Sequence, residues 1–335
     1  MFMKTFNEQT ILSKTRLMEE KYDLFELPVL HRLIKYYINV VEISIDSHHD
    51  AFANDFLLKA YRTLTTMKEQ IIYMLEPGLS LSYKNERLLN LIADPLYAHI
   101  YYYDAYLISK SRQKKGLSET IDKALYIFEH HKKTLSINDR KILLKTLELK
   151  RGTIPFDALE QIPILKQMKR LFRNPNHMYK CHKEIGDVYY MHMKFKDAIR
   201  HYLQMEKYAK KINVSSMMAF EPYFNSLERL VYCHAHLSHP THARNIIYRM
   251  SEVLSQTKLN IEYDLLEMLL PHQLLIYMYE RFEDIDSRNQ AYLSMLKIIE
   301  EYRRYYNGFE TVISSIYKAY DTFIEHNGTN KGDLI

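Results

Sequence analysis

The feature that most constrains the fold is the spacing of small and aromatic residues within residues 181–211. Gly186 and Tyr189 fall at helical spacing on a first segment, and Ala198 and Tyr202 fall at helical spacing on a second. The two small residues would let antiparallel helices approach closely, while the two tyrosines would fill the space between the helices. The stretch therefore predicts a helical hairpin.

This order of residues resembles the tetratricopeptide repeat, in which Leu-Gly is followed by an aromatic residue, an alanine and a second aromatic residue. Further matches occur at Ala243, 45 residues after Ala198, and more weakly at Ala291, another 48 residues on. Residues 97–133 are a degenerate copy, with Ala124 in the second helix. The resemblance implies an all-α, tetratricopeptide-like solenoid of helical hairpins in which each repeat touches its neighbours.

The composition and the helical periodicity predict how the chain is divided. Only 7 Gly and 9 Pro occur in 335 residues, and 47% of the residues are hydrophobic, which suits long helices with a substantial core. Residues 1–93 have helical periodicity without a repeat signature, so we predict an N-terminal helical bundle. We expect the repeat solenoid over residues 94–326 and a disordered tail over residues 327–335.

Local signals mark several helix ends. Asp94 followed by Pro95 is typical of a helix start. Ser136 and Asp139 have the spacing of a capping box, and Gly152 is expected to end the helix that they open. A short helix is expected near residues 156–161. Residues 136–175 as a whole fit either a repeat or an insertion.

The cysteine content and hydropathy favour a cytoplasmic protein. Cys181 and Cys233 are the two cysteines, and both fall on predicted first helices, so we expect buried thiols rather than a disulfide. The chain contains no run of about 18 apolar residues and no signal-peptide pattern at its start, so we expect no membrane association. The 29 Tyr, absent Trp and scarce Gly indicate an AT-rich bacterial or phage genome.

A basic segment lies in the middle of the chain. Residues 110–180 contain 17 Lys and Arg against 7 Asp and Glu, whereas the whole chain has a net charge of +5. Such a segment could face an acidic partner, with Lys114, Lys115, Lys150 and Arg151 as candidate contacts. Solvated helix faces are the commoner explanation, and nucleic-acid binding is a less favoured alternative.

Aromatic residues within the same region have two interpretations. Tyr101, Tyr102 and Tyr103 could stack nucleic-acid bases beside basic side chains. Three successive helical residues cover most of the circumference of a helix, however, which is typical of a buried helix in a solenoid. Core packing is therefore the favoured interpretation.

Motifs for catalysis and cofactor binding are missing from the sequence. It has no glycine-rich phosphate loop, G-x-S-x-G, H-E-x-x-H or C-x-x-C, so we expect no cofactor. His234, His236, His239 and His242 are residue types that bind zinc. They span a turn that would have to fold back on itself, so we expect structural or surface histidines and no metal site.

The first helices of a tetratricopeptide solenoid line the surface on which an extended peptide would lie. The repeat register places eight residues there: Lys180, Lys183, Asp187, Tyr190, Asn225, Glu228, Tyr232 and His236. Asn225 is the most informative, because a side-chain amide can both donate to and accept from a peptide backbone. An exposed cap near Ser226 is an equally open interpretation of that residue.

The chain also resembles the Gram-positive peptide-sensing regulators that include the Rap response-regulator phosphatases and the phage arbitrium receptors. The local likenesses are residues 18–20 (Met-Glu-Glu), residues 23–24 (Asp-Leu) and residues 181–182 (Cys-His). In the phosphatases, a glutamine near the first motif assists dephosphorylation, and Tyr22 occupies its place here. The resemblance thus implies peptide sensing around Asn225 without phosphatase activity.

We therefore expect a non-enzymatic regulatory protein that binds a short peptide in its repeat groove and contacts a protein target. Three alternatives stay open: a response-regulator aspartate phosphatase, a nucleic-acid-binding regulator and a plain tetratricopeptide scaffold. A homodimer is a further option for the assembly.

Overall fold

The computed structural model describes residues 6–21, 27–74, 83–111, 114–212, 221–255 and 265–302, together with Ser314 and Lys318. All regular secondary structure in these residues is helical, which confirms the predicted all-α class. The helices are α1 (Glu8–Lys21), α2 (Leu27–Asp46), α3 (Asp50–Met74), α4 (Tyr83–Lys110), α5 (Leu117–His130), α6 (Ile137–Gly152), α7 (Gln161–Leu171), α8 (Pro175–Met191), α9 (Phe195–Ala209), α10 (Glu221–His236), α11 (Pro240–Ser255), α12 (Leu265–Arg281) and α13 (Ile285–Tyr302).

The chain forms two compact units, Met1–Ile164 and Leu165–Ile335. Consecutive helices pair as hairpins in both, namely α2 with α3 and α4 with α5 in the first unit, and α8 with α9, α10 with α11 and α12 with α13 in the second. Within the second unit, α9 also packs on α10, and α11 on α12, so that neighbouring hairpins stack as in a helical solenoid. The predicted tail over residues 327–335 lies outside the described residues.

One turn geometry recurs in four hairpins. His48, Met193, Ser238 and Glu283 all have left-handed backbone conformations, with φ between 56° and 62°. The amide of the next residue donates to the carbonyl five residues earlier, as in Lys194 N to Tyr189 O at 2.9 Å. This pairing is the Schellman motif, which ends a helix through a left-handed residue. The fold thus reverses the chain in the same way at each of these hairpins.

The recurring turn corrects the repeat register. Met193, Ser238 and Glu283 are spaced 45 residues apart, which agrees with the predicted step from Ala198 to Ala243. The third match was wrong, because the equivalent position is Arg288 rather than Ala291. The turn at His48 also brings the repeat geometry into residues 1–93, where the sequence shows no signature.

The central hairpin interlocks as its small and aromatic residues predict. A Cβ atom added to Gly186 would lie 2.5 Å from Tyr202 Cε1, so that only glycine accommodates the ring in its present position. Ala198 and Tyr202 are completely buried, and the Tyr202 hydroxyl donates to Asp187 Oδ1 at 2.7 Å. Tyr189 differs from the prediction, because it is half-buried against the His201 ring rather than enclosed between the helices.

Polar contacts join helices in the first unit. Glu19 of α1 accepts hydrogen bonds from the Tyr37 hydroxyl at 2.6 Å and from Lys59 Nζ at 2.9 Å, and so connects α1 with α2 and α3. Buried His99 of α4 has its Nε2 atom 2.8 Å from Oδ1 of Asp139 on α6. Asp139 also forms the predicted capping box with Ser136, which is confirmed.

Several local predictions can be compared with the helices. Helix α4 starts at Tyr83 and contains Pro95, so the predicted helix start at Asp94-Pro95 was wrong. A continuous helix therefore passes through the boundary predicted between residues 93 and 94, and that domain assignment stays a prediction. The short helix expected near residues 156–161 is replaced by turns, and Gln161 begins α7.

Burial confirms two predictions about individual side chains. Tyr102 and Tyr103 are buried, in agreement with core packing, whereas Tyr101 is half-buried. Cys181 and Cys233 are buried and are not joined in a disulfide, and burial raises the pKa of the Cys233 thiol to about 12. Among the described helices, none has the length and apolar character needed to cross a membrane.

Candidate functional site

The predicted peptide-binding residues lie on α8 and α10 in the second unit, and the structure extends their surface to α12. We call this surface the first-helix face, and it comprises Lys183, Asp187, Tyr190, Asn225, Glu228, Arg229, Tyr232, His236, Tyr277 and Arg281. Most members on each helix are three or four residues from the next, and Glu228 and Arg229 are adjacent, so each set lies along one side of its helix. The remaining predicted residue, Lys180, is exposed on α8.

Asp187 is the centre of the first part of this face. Its carboxylate is buried, accepts from the Tyr202 hydroxyl, and lies 3.0 Å from Lys183 Nζ. Arg229 Nε on the neighbouring α10 lies 3.7 Å from Asp187 Oδ1, too far for a hydrogen bond. The carboxylate therefore has satisfied partners in its own hairpin and an electrostatic partner in the next.

An aromatic cluster forms the second part of the face. The rings of His236 and Phe195 are stacked with centroids 4.5 Å apart, and His236 Nε2 lies 3.1 Å from the Tyr190 hydroxyl. Burial and the charge of Arg281 lower the pKa of His236. The neutral ring can therefore exchange a hydrogen bond with Tyr190, and it connects α10 to the α8–α9 hairpin.

Two tyrosines continue this surface from α10 to α12. Tyr232 and Tyr277 pack edge to face with centroids 5.0 Å apart. Burial, followed by the charge of Glu228 and a hydrogen bond with it, raises the pKa of Tyr232 to about 12. Both hydroxyls thus belong to a polar surface made by three successive first helices.

On the first-helix face, two buried polar atoms of α10 have no hydrogen-bond partner among the described residues. Asn225 Oδ1 and Arg229 Nε are buried atoms within half-buried side chains, and neither makes a hydrogen bond in the structure. A buried polar atom without a partner typically costs about 1–3 kcal/mol. One atom is an acceptor and the other a donor, one helical turn apart, and an extended peptide backbone supplies the complementary groups to both.

Arg229, Tyr277 and Arg281 are the members that the sequence analysis missed. The 45-residue period provides the signal for two of them, because Tyr277 follows Tyr232 by that distance and Arg281 follows His236 by the same distance. Arg229 has no such signal. Its role depends on which of two adjacent residues, 228 or 229, faces Asp187. Sequence periodicity does not distinguish between neighbouring positions.

The four basic candidates lie in the first unit and differ in their surroundings. Lys114 and Lys115 are exposed. Lys150 pairs with Asp122 at 2.9 Å, and Arg151 donates to the Gln161 side chain at 3.0 Å. Further lysines of the basic segment also pair with carboxylates, namely Lys123 with Glu119, Lys132 with Glu129 and Lys145 with Glu42. The segment is therefore partly neutralised by its own fold.

Three histidines meet at the turn between α10 and α11. One ring nitrogen from each of His234, His239 and His242 lies within 4.8 Å of the others. The left-handed conformation of Ser238 folds this turn back on itself, which the sequence analysis did not anticipate, whereas the expectation of no metal site stays a prediction. Tyr22, at the position of the phosphatase glutamine, lies outside the described residues.

The recurring turn and the stacked hairpins define the second unit as a helical-repeat structure. The chain is similar to a solved structure described as the apo form of RapI, with 11% sequence identity and a TM-score of 0.45. That similarity covers 88% of this chain and 72% of the other. No protein-family model and no curated protein matches the sequence.

Proposed function

We propose that the chain is a non-enzymatic regulatory protein whose first-helix face binds a short extended peptide and which also contacts a protein target. The observation that carries the proposal is the pair of buried atoms without a hydrogen bond, Asn225 Oδ1 and Arg229 Nε, on a half-buried polar surface. A peptide backbone amide and carbonyl would supply the missing hydrogen bonds.

The side chains around these two atoms can select among peptides. Glu228 can pair with a basic peptide residue, while Arg229 and Arg281 can pair with an acidic residue or a terminal carboxylate. Tyr232 and Tyr277 offer apolar ring surface together with hydroxyl groups. The mixture of both charge signs favours a peptide with a defined sequence over a uniformly charged polymer.

The stacking of the hairpins supplies a regulatory mechanism. In a solenoid each hairpin contacts mainly its neighbours, so the angles between hairpins are easily adjusted. A peptide that contacts α8, α10 and α12 together would favour one set of angles and shift the population of the second unit toward it. The altered surface of that unit could then change affinity for the protein target.

The proposal can be tested by selecting binders from a display library of random hexapeptides and measuring their affinity by calorimetry. Asn225→Ala and Arg229→Gln should each weaken binding of a selected peptide by at least about tenfold, as expected for a lost buried hydrogen bond. Asn245→Ala is the matched control, because Asn245 is exposed on α11. Equal affinities for all three variants and the original protein would refute a site on the first-helix face.

A further inference from the structure

The turn between α10 and α11 brings three imidazoles together through its backbone. His234 lies in the last turn of α10, and the His239 amide donates to the His234 carbonyl at 2.9 Å, so the chain returns beside that helix. The Ala243 amide then donates to the His239 carbonyl, which starts α11 and places His242 in its first turn. The ring centroids are 5.2 to 5.8 Å apart.

The repeat does not require histidine at these positions. Applying the 45-residue period gives Tyr189, Lys194 and Asp197 in the preceding hairpin, and Tyr279, Asp284 and Ser287 in the following one. Asp284 accepts from the Ser287 amide at 3.1 Å and so caps its helix, whereas His239 occupies the same position in α11. Histidine is not among the preferred N-cap residues, so capping does not explain His239.

His234 provides a second, independent observation. Its Nδ1 atom is buried and has no hydrogen-bond partner in the part of the chain that the structure describes. An imidazole nitrogen without a hydrogen-bond partner is available to coordinate a metal ion, and neutral imidazole is the form of histidine that does so.

We propose that His234, His239 and His242 form a binding site for a transition-metal dication such as Zn²⁺. Zinc binds histidine nitrogen at about 2.0–2.1 Å, so tetrahedral coordination requires ligand nitrogens about 3.3 Å apart. His239 and His242 are exposed, and small rotations of their side chains can close the difference from 4.8 Å. Three imidazoles leave a fourth position open to water or to a ligand supplied by a partner.

A metal ion at this turn would connect the end of α10 directly to the start of α11. The turn contains Ser238 in a left-handed conformation, which is unfavourable for a residue other than glycine. Coordination would fix the hairpin in this geometry and stabilise the folded chain by mass action. The site does not depend on the proposed peptide function, since it uses none of the residues of the first-helix face.

The test uses the full chain without an affinity tag, stripped of metal with a chelator. Calorimetric titration with Zn²⁺ should show one tight site per chain, and Zn²⁺ should raise the Tm. The variant with both His239→Gln and His242→Gln should bind at least about 100-fold more weakly and show no zinc-dependent rise in Tm. The variant keeps half-buried His234 and replaces only exposed residues, so it should retain the helical circular dichroism of the original protein.

Two controls make the outcome decisive. His130→Gln, at an exposed histidine on α5, should bind zinc like the original chain. Co²⁺ substituted for Zn²⁺ should give the intense visible absorption of tetrahedral coordination, and this absorption should vanish in the double variant. Equal zinc affinity in the double variant and the original chain would overturn the proposal, as would the absence of a stoichiometric site in the original chain.

Discussion

The substitution Gly186→Ala tests the packing that defines the central hairpin. The added methyl group would meet Tyr202 Cε1 at 2.5 Å and Cδ1 at 2.8 Å, both well inside normal contact distance. The Tyr202 ring is completely buried and cannot swing into solvent. It must therefore shift with α9, and the shift would break its hydrogen bond to Asp187.

The magnitude follows from three contributions. Overpacking a core typically costs about 1–3 kcal/mol, and contacts this short belong at the upper end. Weakening the buried bond from Tyr202 to Asp187 adds about 1–3 kcal/mol, whereas replacing glycine with alanine in a helix returns about 1 kcal/mol. We therefore expect Gly186→Ala to lower the free energy of unfolding by about 3–5 kcal/mol.

Gly152→Ala is the matched control, because a Cβ atom at exposed Gly152 would have no neighbour within 4 Å. It should leave stability unchanged or raise it by up to about 1 kcal/mol. Urea denaturation followed by circular dichroism gives the free energies, and hydrogen exchange locates the loss in α8 and α9. In a Tyr202→Leu background, Gly186→Ala should lower the free energy of unfolding by less. If Gly186→Ala alone unfolds in urea at the same concentration as the original protein, this reasoning is refuted.

Three further predictions concern stability. Met193→Gly should raise the free energy of unfolding by up to about 1 kcal/mol in urea, because 78%-exposed Met193 adopts a left-handed conformation without contributing to the core. Although burial opposes it, hydrogen bonding from His99 and from the helix cap lowers the pKa of Asp139 to about 2. This stabilisation is present above about pH 4 and lost toward pH 2. The Tm of Asp139→Asn should therefore decrease less than that of the original protein between pH 4 and pH 2. Burial lowers the pKa of His182 and of His201 to about 4, so stability should fall from pH 6.5 to pH 4, and His201→Gln should reduce that slope.

The sequence predicts the central hairpin well because the information is local and steric. Gly186 and Tyr202 must face each other once two helices pair, and no distant residue changes that requirement. The recurring turn has no such signature, since His48, Met193, Ser238 and Glu283 share a backbone conformation but no side-chain chemistry. This is why the repeat geometry in residues 1–93 was not predicted.

The candidate site was predictable to the accuracy of the repeat register. A spacing of three and four residues identifies one side of a helix. Six of the eight predicted residues therefore take part in the polar and aromatic contacts of the first-helix face, namely Lys183, Asp187, Tyr190, Glu228, Tyr232 and His236. The partner of Asp187 across the hairpin boundary, Arg229, depends on the rotation of α10 by one residue. Only packing between hairpins fixes that rotation.

Helix α10 connects the two proposals. His234 and His236 are two residues apart and so project about 200° apart around the helix axis, one toward the histidine cluster and the other toward the first-helix face. A metal ion that fixes α10 against α11 would restrict the rotation that positions Asn225 and Arg229. Linkage then requires Zn²⁺ to change peptide affinity by the same factor as peptide changes zinc affinity. If the two affinities change by different factors, the two measurements do not report one equilibrium. If neither affinity changes, the two sites act independently on a rigid helix.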